Sequence, residues 1–195
     1  MRGQWGRLAT VTVAIGVAAW TLGPRELAAQ SGAGSGSVSA ARGKYLVEAI
    51  GGCNDCHTPY KMGDNGPEPD MSRMLSGHPA DSPPVTPVPA LTGPWMASVS
   101  HTFTAWSGPW GISYTKNLTP DNDTGLGTWT EQQFIDTLRN GRERGRGRQL
   151  LPPMPWQTFR LMTDDDLKSI FAFLRTIPPI KNKVPEPVIA APPGQ

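Results

Sequence analysis

The stretch that decides the fold reads CNDCH, from Cys53 to His57, and it directly follows a Gly-Gly pair. The spacing C-x-x-C-H is the attachment pattern of a c-type haem. Two thiols three residues apart on one helical turn can each bond to a vinyl group of one porphyrin. The adjacent imidazole then lies under the iron as an axial ligand. The sequence therefore predicts one covalently attached haem c, bound through Cys53, Cys56 and His57.

The cysteine pair has two other interpretations. A C-x-x-C pair could form a plain disulfide or belong to a thioredoxin-like dithiol oxidoreductase, but no βαβ pattern surrounds it. A zinc site would need further ligands, and besides His57 only His78 and His101 are present. Because the 195 residues include only these two cysteines, a framework of structural disulfides is excluded. A haem-free dithiol oxidoreductase remains one alternative.

An iron with two protein ligands needs a second axial side chain besides His57. After the N-terminal segment, the candidates are Met62, Met71, Met74, Met96, Met154, Met162, His78 and His101. Met154 stands in the segment LPPMPW, where three prolines restrict the backbone. A thioether on such a stiff loop loses little entropy on binding iron, so the sequence favours Met154. Met154 could also simply fill a gap in the core, as methionines often do.

The N-terminus predicts export. Arg2 and Arg7 precede an uncharged run of 15 residues at 8–22, and the small residues Ala28 and Ala29 follow. This is the order of a secretory signal peptide, and the run is shorter than the roughly 20 residues that span a bilayer. We therefore expect residues 1–29 to be a cleaved signal peptide and the protein to be periplasmic. An uncleaved membrane anchor is the alternative.

The composition restricts the fold and the partners. The chain has 22 Gly and 21 Pro, and 17% of its residues are charged, which argues against a coiled coil or a large α/β enzyme. Without residues 1–29 it carries 15 basic and 15 acidic side chains. A neutral exported protein is a poor candidate for binding nucleic acid.

Three short amphipathic segments predict helices. The first covers about 41–50, and the second begins at Thr130, forms a capping box with Gln133 and ends at Asn140-Gly141. The third begins at Thr163 and ends before two prolines. No alternating run is long enough to predict a sheet. We therefore expect an all-α fold, with three or more short helices around one covalently bound haem.

The sequence resembles the class I-like, single-haem bacterial cytochromes c, in particular exported c-type cytochromes that serve dehydrogenases. Besides CNDCH, the resemblance rests on GKYL at 43–46, NLTPD at 117–121, TWTEQQF at 128–134, LPPMPW at 151–156 and the segment 162–179. It implies that Met154 is the distal ligand. It also implies that the first and third helices cross, with Gly43 and Tyr45 facing Phe171 and Leu174.

The resemblance gives a domain division. The expected segments are the signal peptide at 1–29, a flexible Gly/Ser-rich lead-in at 30–41, a cytochrome c domain at 42–179, an irregular Pro/Gly/Trp-rich insertion within it at 58–116, and a Pro-rich tail at 180–195. The insertion is longer than in compact members of the class. It could cover haem edges, form a docking surface, or donate hydrogen bonds to the haem propionates through Trp110 or Tyr114.

The resemblance also implies an electron-transfer protein rather than an enzyme, carrying single electrons between a periplasmic dehydrogenase and the respiratory chain. The expected partners are a dehydrogenase donor and an oxidase or another cytochrome as acceptor, and membrane contact would come only from docking or from an uncleaved signal. A haem enzyme or gas sensor with an open or labile distal position is the main alternative. An arginine-rich loop could be solvated, pair with propionates or steer an acidic partner, and its arginines are Arg139, Arg142, Arg144, Arg146 and Arg148.

Overall fold

The computed structural model describes residues 37–86 and 94–190. The predicted signal peptide, most of the lead-in, and parts of the insertion and tail lie outside the described residues. Within these ranges the α-helices are Ala40–Tyr45 (α1), Cys53–His57 (α2), Glu131–Asn140 (α3), Trp156–Phe159 (α4) and Asp164–Leu174 (α5). A π-helical turn, Leu46–Ile50, continues α1, and short 3-10 turns lie at Met71–Arg73 and Glu143–Gly145.

The three predicted helices are confirmed, and their ends follow the predicted capping. In α3 the Thr130 hydroxyl accepts from the Gln133 N–H at 3.1 Å, and the Gln133 side chain accepts from the Thr130 N–H at 3.1 Å. Gly141 ends this helix with φ of 64°, a left-handed conformation that glycine adopts without strain. Thr163 caps α5 through its own hydroxyl, which accepts from the Asp166 N–H.

Helices α1 and α5 pack against each other, as the resemblance implied. Gly43 lies directly over α5, because a Cβ atom built on it would come within 1.8 Å of the Ser169 carbonyl oxygen and 2.8 Å of the Phe173 Cβ. The predicted facing pairs were wrong in detail, since Tyr45 is 51% exposed. The buried core continues from this crossing through residues that include Leu46, Val47, Phe134, Leu138, Leu167, Ile170 and Leu174.

The prediction of an all-α fold was wrong. The described residues contain two antiparallel sheets built from Tyr60–Gly63 (β1), Gly66–Pro69 (β2), Ser98–Val99 (β3), Ala105–Gly108 (β4), Gly111–Tyr114 (β5) and Val188–Ile189 (β6). Strands β1 and β2 form a hairpin, and the other sheet has the order β3-β4-β5-β6. The strands are only two to four residues long and rich in Gly, Pro and Ser. Such strands are too short to show the alternation by which a sheet is recognised in a sequence.

The insertion is therefore not irregular as predicted, because it supplies five of these strands, and the Pro-rich tail supplies the sixth. Strand β6 approaches Gly111 so closely that a Cβ there would lie 1.9 Å from the Val188 carbonyl oxygen. The tail is also held upstream of β6 by Asn182, which is buried and donates to the carbonyls of Ser76 at 2.7 Å and His78 at 2.9 Å.

None of the helices in the described ranges has the length and apolar character needed to cross a membrane.

Candidate functional site

A cavity of ≈ 550 Å³ lies in the part of the chain that the structure describes. Its walls come from α2, the π-helical turn, the segment 113–118, α3, the loop 150–155 and α5. Most of the wall is apolar, with side chains such as Leu46, Phe134 and Leu174. Cofactor sites are typically clefts of about 300–1,000 Å³ with mostly apolar walls, so this cavity has the size and character of one.

Four side chains predicted to bind the haem line this cavity: Cys53, Cys56, His57 and Met154. The first three lie on the single turn of α2, and Met154 lies about one hundred residues later in the loop that precedes α4. The fold thus brings the CNDCH turn and the proline-rich loop to one cavity.

The ring of His57 is held by one hydrogen bond. Its Nδ1 lies 2.8 Å from the backbone carbonyl oxygen of Lys116. Because a carbonyl only accepts, Nδ1 carries the proton and Nε2 keeps a free lone pair when the ring is neutral. Burial lowers the pKa of His57, and the hydrogen bond to Lys116 offsets this only in part. The result is a neutral, oriented imidazole, which is the form that ligates metals.

The turn that carries the cysteines is fixed by Thr58, the residue after the motif. Its hydroxyl donates to the Asn54 side-chain oxygen at 2.7 Å and accepts from the Leu75 N–H at 2.9 Å. Thr58 is fully buried. Sequence reasoning missed this residue, because a threonine after a helical turn has no distinguishing pattern and its partner Leu75 is remote in sequence.

Cys53 and Cys56 are not joined by a disulfide in the described structure. Burial raises the pKa of the Cys53 thiol to about 11, a backbone hydrogen bond lowers this pKa by a smaller amount, and burial also raises the pKa of Cys56. Dithiol oxidoreductases instead lower the pKa of the attacking thiol, through a helix N-terminus or a nearby cation. The surroundings of this pair therefore do not resemble those of a reactive dithiol.

The eight candidates for the second axial ligand differ in whether they line the cavity. Met154 and Met162 line the cavity, and the other six do not. Met62, Met71 and Met96 are exposed, and Met74 packs against the core. Both histidines lie in the insertion, where His101 is exposed and His78 is buried with its Nδ1 2.9 Å from the Thr104 hydroxyl.

Charged residues of both signs also line the cavity: the basic Lys116, Arg144 and Arg148 and the acidic Asp55, Asp123 and Glu143. The Lys116 ammonium pairs with Glu186 at 3.4 Å. The guanidinium of Arg144 lies 5.2 Å from the ring centre of Trp129, which also lines the cavity. Arg144 has a backbone φ of 51°, a left-handed conformation that is uncommon for residues other than glycine. Of the five arginines that the sequence grouped together, these two are the ones that reach the cavity.

The two predicted propionate donors of the insertion differ in position. Tyr114 lines the cavity, whereas the Trp110 indole N–H donates to the Ser113 hydroxyl at 3.2 Å. The Ser113 hydroxyl in turn donates to the Pro152 carbonyl oxygen. Ser113 was not singled out from the sequence, because nothing in its neighbourhood indicates contact with a loop almost forty residues away.

Comparison with known proteins finds relatives among cytochrome subunits of dehydrogenases. The chain is 42% identical over 72 residues to the fructose dehydrogenase cytochrome subunit of Gluconobacter japonicus, covering 37% of this chain and 15% of the relative. It is 35% identical over 81 residues to the cytochrome c subunit of the quinone-dependent alcohol dehydrogenase of Gluconobacter oxydans, covering 40% of this chain and 17% of the relative. It is 29% identical over 142 residues to a dihaem c-type cytochrome of Cereibacter sphaeroides, covering 72% of this chain and 36% of the relative.

No family model matches the chain. The chain spans less than a fifth of the length of the two dehydrogenase cytochrome subunits. The similarities support an electron-transfer cytochrome of the c type.

Proposed function

We propose that the chain is an exported mono-haem cytochrome c that carries single electrons between a periplasmic dehydrogenase and the respiratory chain. In this proposal the haem is attached to Cys53 and Cys56, and His57 and Met154 ligate its iron. The observation that carries the proposal is that these four side chains, and no other candidate ligand except Met162, line one cavity of the described residues. The chain has only two cysteines, which fits a single attachment turn.

The donor set fits a haem. An imidazole and a thioether are the ligand pair of electron-transferring cytochromes c, and methionine ligation raises the reduction potential. Bound there, the haem would supply a one-electron couple between ferric and ferrous iron. Arg144 and Arg148 line the cavity and are suited to the two carboxylates that a haem carries, whereas the Lys116 ammonium pairs with Glu186.

The residues of the chain have separate roles in this function. His57 is held in one orientation by the Lys116 carbonyl. The apolar wall, with residues such as Leu46 and Leu174, excludes water and limits movement when the charge of the iron changes. If His57 and Met154 both held the iron, it would have no site left for a substrate, as an electron carrier requires.

The dehydrogenase partner and the periplasmic location rest on different observations. Two of the named relatives are cytochrome subunits of dehydrogenases, which supports a dehydrogenase as the electron donor. Export rests on the sequence of residues 1–29, and it agrees with haem attachment to thiols on the secreted side of the membrane.

An absorbance experiment on the full chain, produced in a host that attaches haem c, tests the proposal. We expect haem that survives extraction with acidified acetone, and a weak far-red band from methionine on ferric iron. We expect Met154→Ala to lose this band and its reduced form to bind carbon monoxide rapidly. Met162→Ala is the matched control, because Met162 lines the same cavity, and it should keep the band.

Four results would contradict the proposal. Absence of haem would favour the dithiol alternative, and extractable haem would contradict its covalent attachment to Cys53 and Cys56. A far-red band that persists in Met154→Ala would show that another methionine ligates the iron. Rapid carbon monoxide binding by the unmodified protein would favour the haem enzyme or gas sensor.

A further inference from the structure

The loop that carries Met154 has an unusual shortage of hydrogen-bond donors. Three of the residues from 151 to 155 are prolines, which have no backbone N–H. The Met154 N–H is turned inward, donating to the Leu151 carbonyl at 3.3 Å within the same loop. The middle of the loop can therefore attach to the rest of the protein only through carbonyl oxygens that accept a hydrogen bond.

The two flanks of the loop are held at one place, near the end of α3. The Leu150 N–H donates to the Gly141 carbonyl at 2.8 Å. The ring of Trp156 lies against Gly141, so that a Cβ there would come within 2.3 Å of the indole. Between these two anchors, Pro152 and Pro153 are exposed to solvent.

Ser113 supplies the missing donor. Its hydroxyl lies 2.5 Å from the Pro152 carbonyl oxygen, and it accepts the Trp110 indole N–H at 3.2 Å. Two carbonyl oxygens are within reach of the Ser113 proton, that of Pro152 at 2.5 Å and that of Trp106 at 3.5 Å. The shorter distance directs the proton to Pro152, while the Ser113 oxygen accepts from Trp110. Ser113 lies on β5 and is buried, so the donor stands on a regular element rather than on a mobile side chain.

The same strand continues into the contact with His57. Three residues after Ser113, the Lys116 carbonyl accepts the hydrogen bond from the His57 ring. One segment, 113–116, thus contacts the cavity-lining residues on both predicted axial sides. Its first two residues pair with Trp106 and Ala105 of β4, and the Thr115 N–H donates to the Thr104 carbonyl at 2.9 Å.

We propose that Ser113 is a positioning residue for Met154, and that Trp110 orients the Ser113 hydroxyl for this role. The inference rests on the proposed function, because it assumes that Met154 ligates the iron. Ser113 does not touch the iron in this scheme. It holds the Pro152 carbonyl, and through the short Leu151–Met154 turn it holds the thioether where the iron can bind it. The insertion then has a specific task, which is to keep the distal ligand in place.

The test measures competition for the iron in the purified ferric protein. Added imidazole binds only where the distal ligand leaves, so its apparent dissociation constant reports how firmly Met154 is held. Ser113→Ala removes one buried hydrogen bond, so it should lower the apparent dissociation constant for imidazole by about twofold to tenfold. Trp110→Phe keeps the hydroxyl but removes the group that orients it, so we expect a smaller change in the same direction.

Ser107→Ala is the matched control, because Ser107 is a buried serine on the neighbouring strand β4. A purely structural role would change the denaturation midpoint of the Ser113 and Ser107 variants while leaving imidazole affinity at the wild-type value. That result would overturn the inference, and so would equal imidazole affinities in Ser113→Ala and Ser107→Ala. If Ser113→Ala does not fold, Trp110→Phe alone tests the inference. An imidazole dissociation constant in Trp110→Phe equal to that of the wild type would then count against the inference.

The outcomes for the inference and the function are distinguishable. Absence of haem, or a far-red band that persists without Met154, would overturn the proposed function. A haem-loaded protein that loses the band in Met154→Ala but binds imidazole equally with and without the Ser113 hydroxyl would overturn the inference alone.

Discussion

Gly43→Ala should strongly destabilise the protein, although alanine is the better helix former. At an exposed helical position the exchange would raise the free energy of unfolding by about 1 kcal/mol. In α1, however, the new Cβ would lie 1.8 Å from the Ser169 carbonyl oxygen, 2.5 Å from its carbon and 2.8 Å from the Phe173 Cβ. Close carbon–oxygen contacts stay near roughly 3.3 Å, so α1 would have to move away from α5 by about 1.5 Å.

Such a displacement weakens every contact across the helix pair. A gap of about 0.5–1 Å already removes a quarter to a half of the dispersion energy of each atom pair. Overpacking of this kind typically costs about 1–3 kcal/mol, and here two of the three close atoms belong to a helix backbone that cannot rotate aside. We therefore expect a net loss of about 2–4 kcal/mol in the free energy of unfolding.

Denaturation of the haem-loaded protein by guanidinium, followed by far-ultraviolet circular dichroism, measures this loss. Lys44→Ala is the control, because Lys44 is the next residue and its exposed side chain pairs with Glu48 across one turn. We expect the control to remain within about 0.5 kcal/mol of the wild type. A midpoint for Gly43→Ala at or above that of the wild type would refute the close packing of α1 on α5.

Two further predictions concern the buried polar groups beneath the tail. Asn182→Ala should lower the free energy of unfolding by about 2–4 kcal/mol, because it leaves the carbonyls of Ser76 and His78 without their donors. The control, Asn140→Ala, changes an exposed side chain and should cost less than about 1 kcal/mol. Equal denaturation midpoints for the two variants would contradict this prediction. Burial, with smaller effects of neighbouring cationic groups, lowers the pKa of His78 to about 4. Between about pH 6.5 and pH 4, His78 is protonated in the unfolded chain but neutral in the folded protein. The free energy of unfolding should therefore fall by about 3 kcal/mol as the pH is lowered from 6.5 to 4. Denaturation midpoints across this range should decline less steeply in His78→Asn, and identical slopes would show that His78 is not the group responsible.

The helices could be predicted because their information is local. Thr130 and Gln133 are three residues apart, so the capping box is visible in the sequence and its two hydrogen bonds are present in the structure. The C-x-x-C-H motif is equally local, and it placed the expected site on one helical turn. The resemblance also predicted that α1 packs on α5. It did not predict which residues face each other, since Tyr45 is exposed.

The sheets could not be predicted, because their strands have no local signature. Strand β6 consists of Val188 and Ile189, and it pairs with Gly111, about eighty residues earlier. Two residues carry no periodicity, and the pairing depends on a glycine that admits the approaching backbone. The all-α expectation failed for this reason.

The sequence by itself determined the C-x-x-C-H turn at Cys53–His57, the helix boundaries and the candidate ligands, since each depends on residues only a few positions apart. Only the tertiary structure decided which candidates share a cavity. Of the eight candidate second ligands it placed Met154 and Met162 on the cavity wall, together with Arg144 and Arg148, and it set Ser113 against the loop of Met154. The physical reason is that a cavity is formed by segments distant in the chain, whose contacts are fixed by packing and by hydrogen bonds such as that between His57 and Lys116.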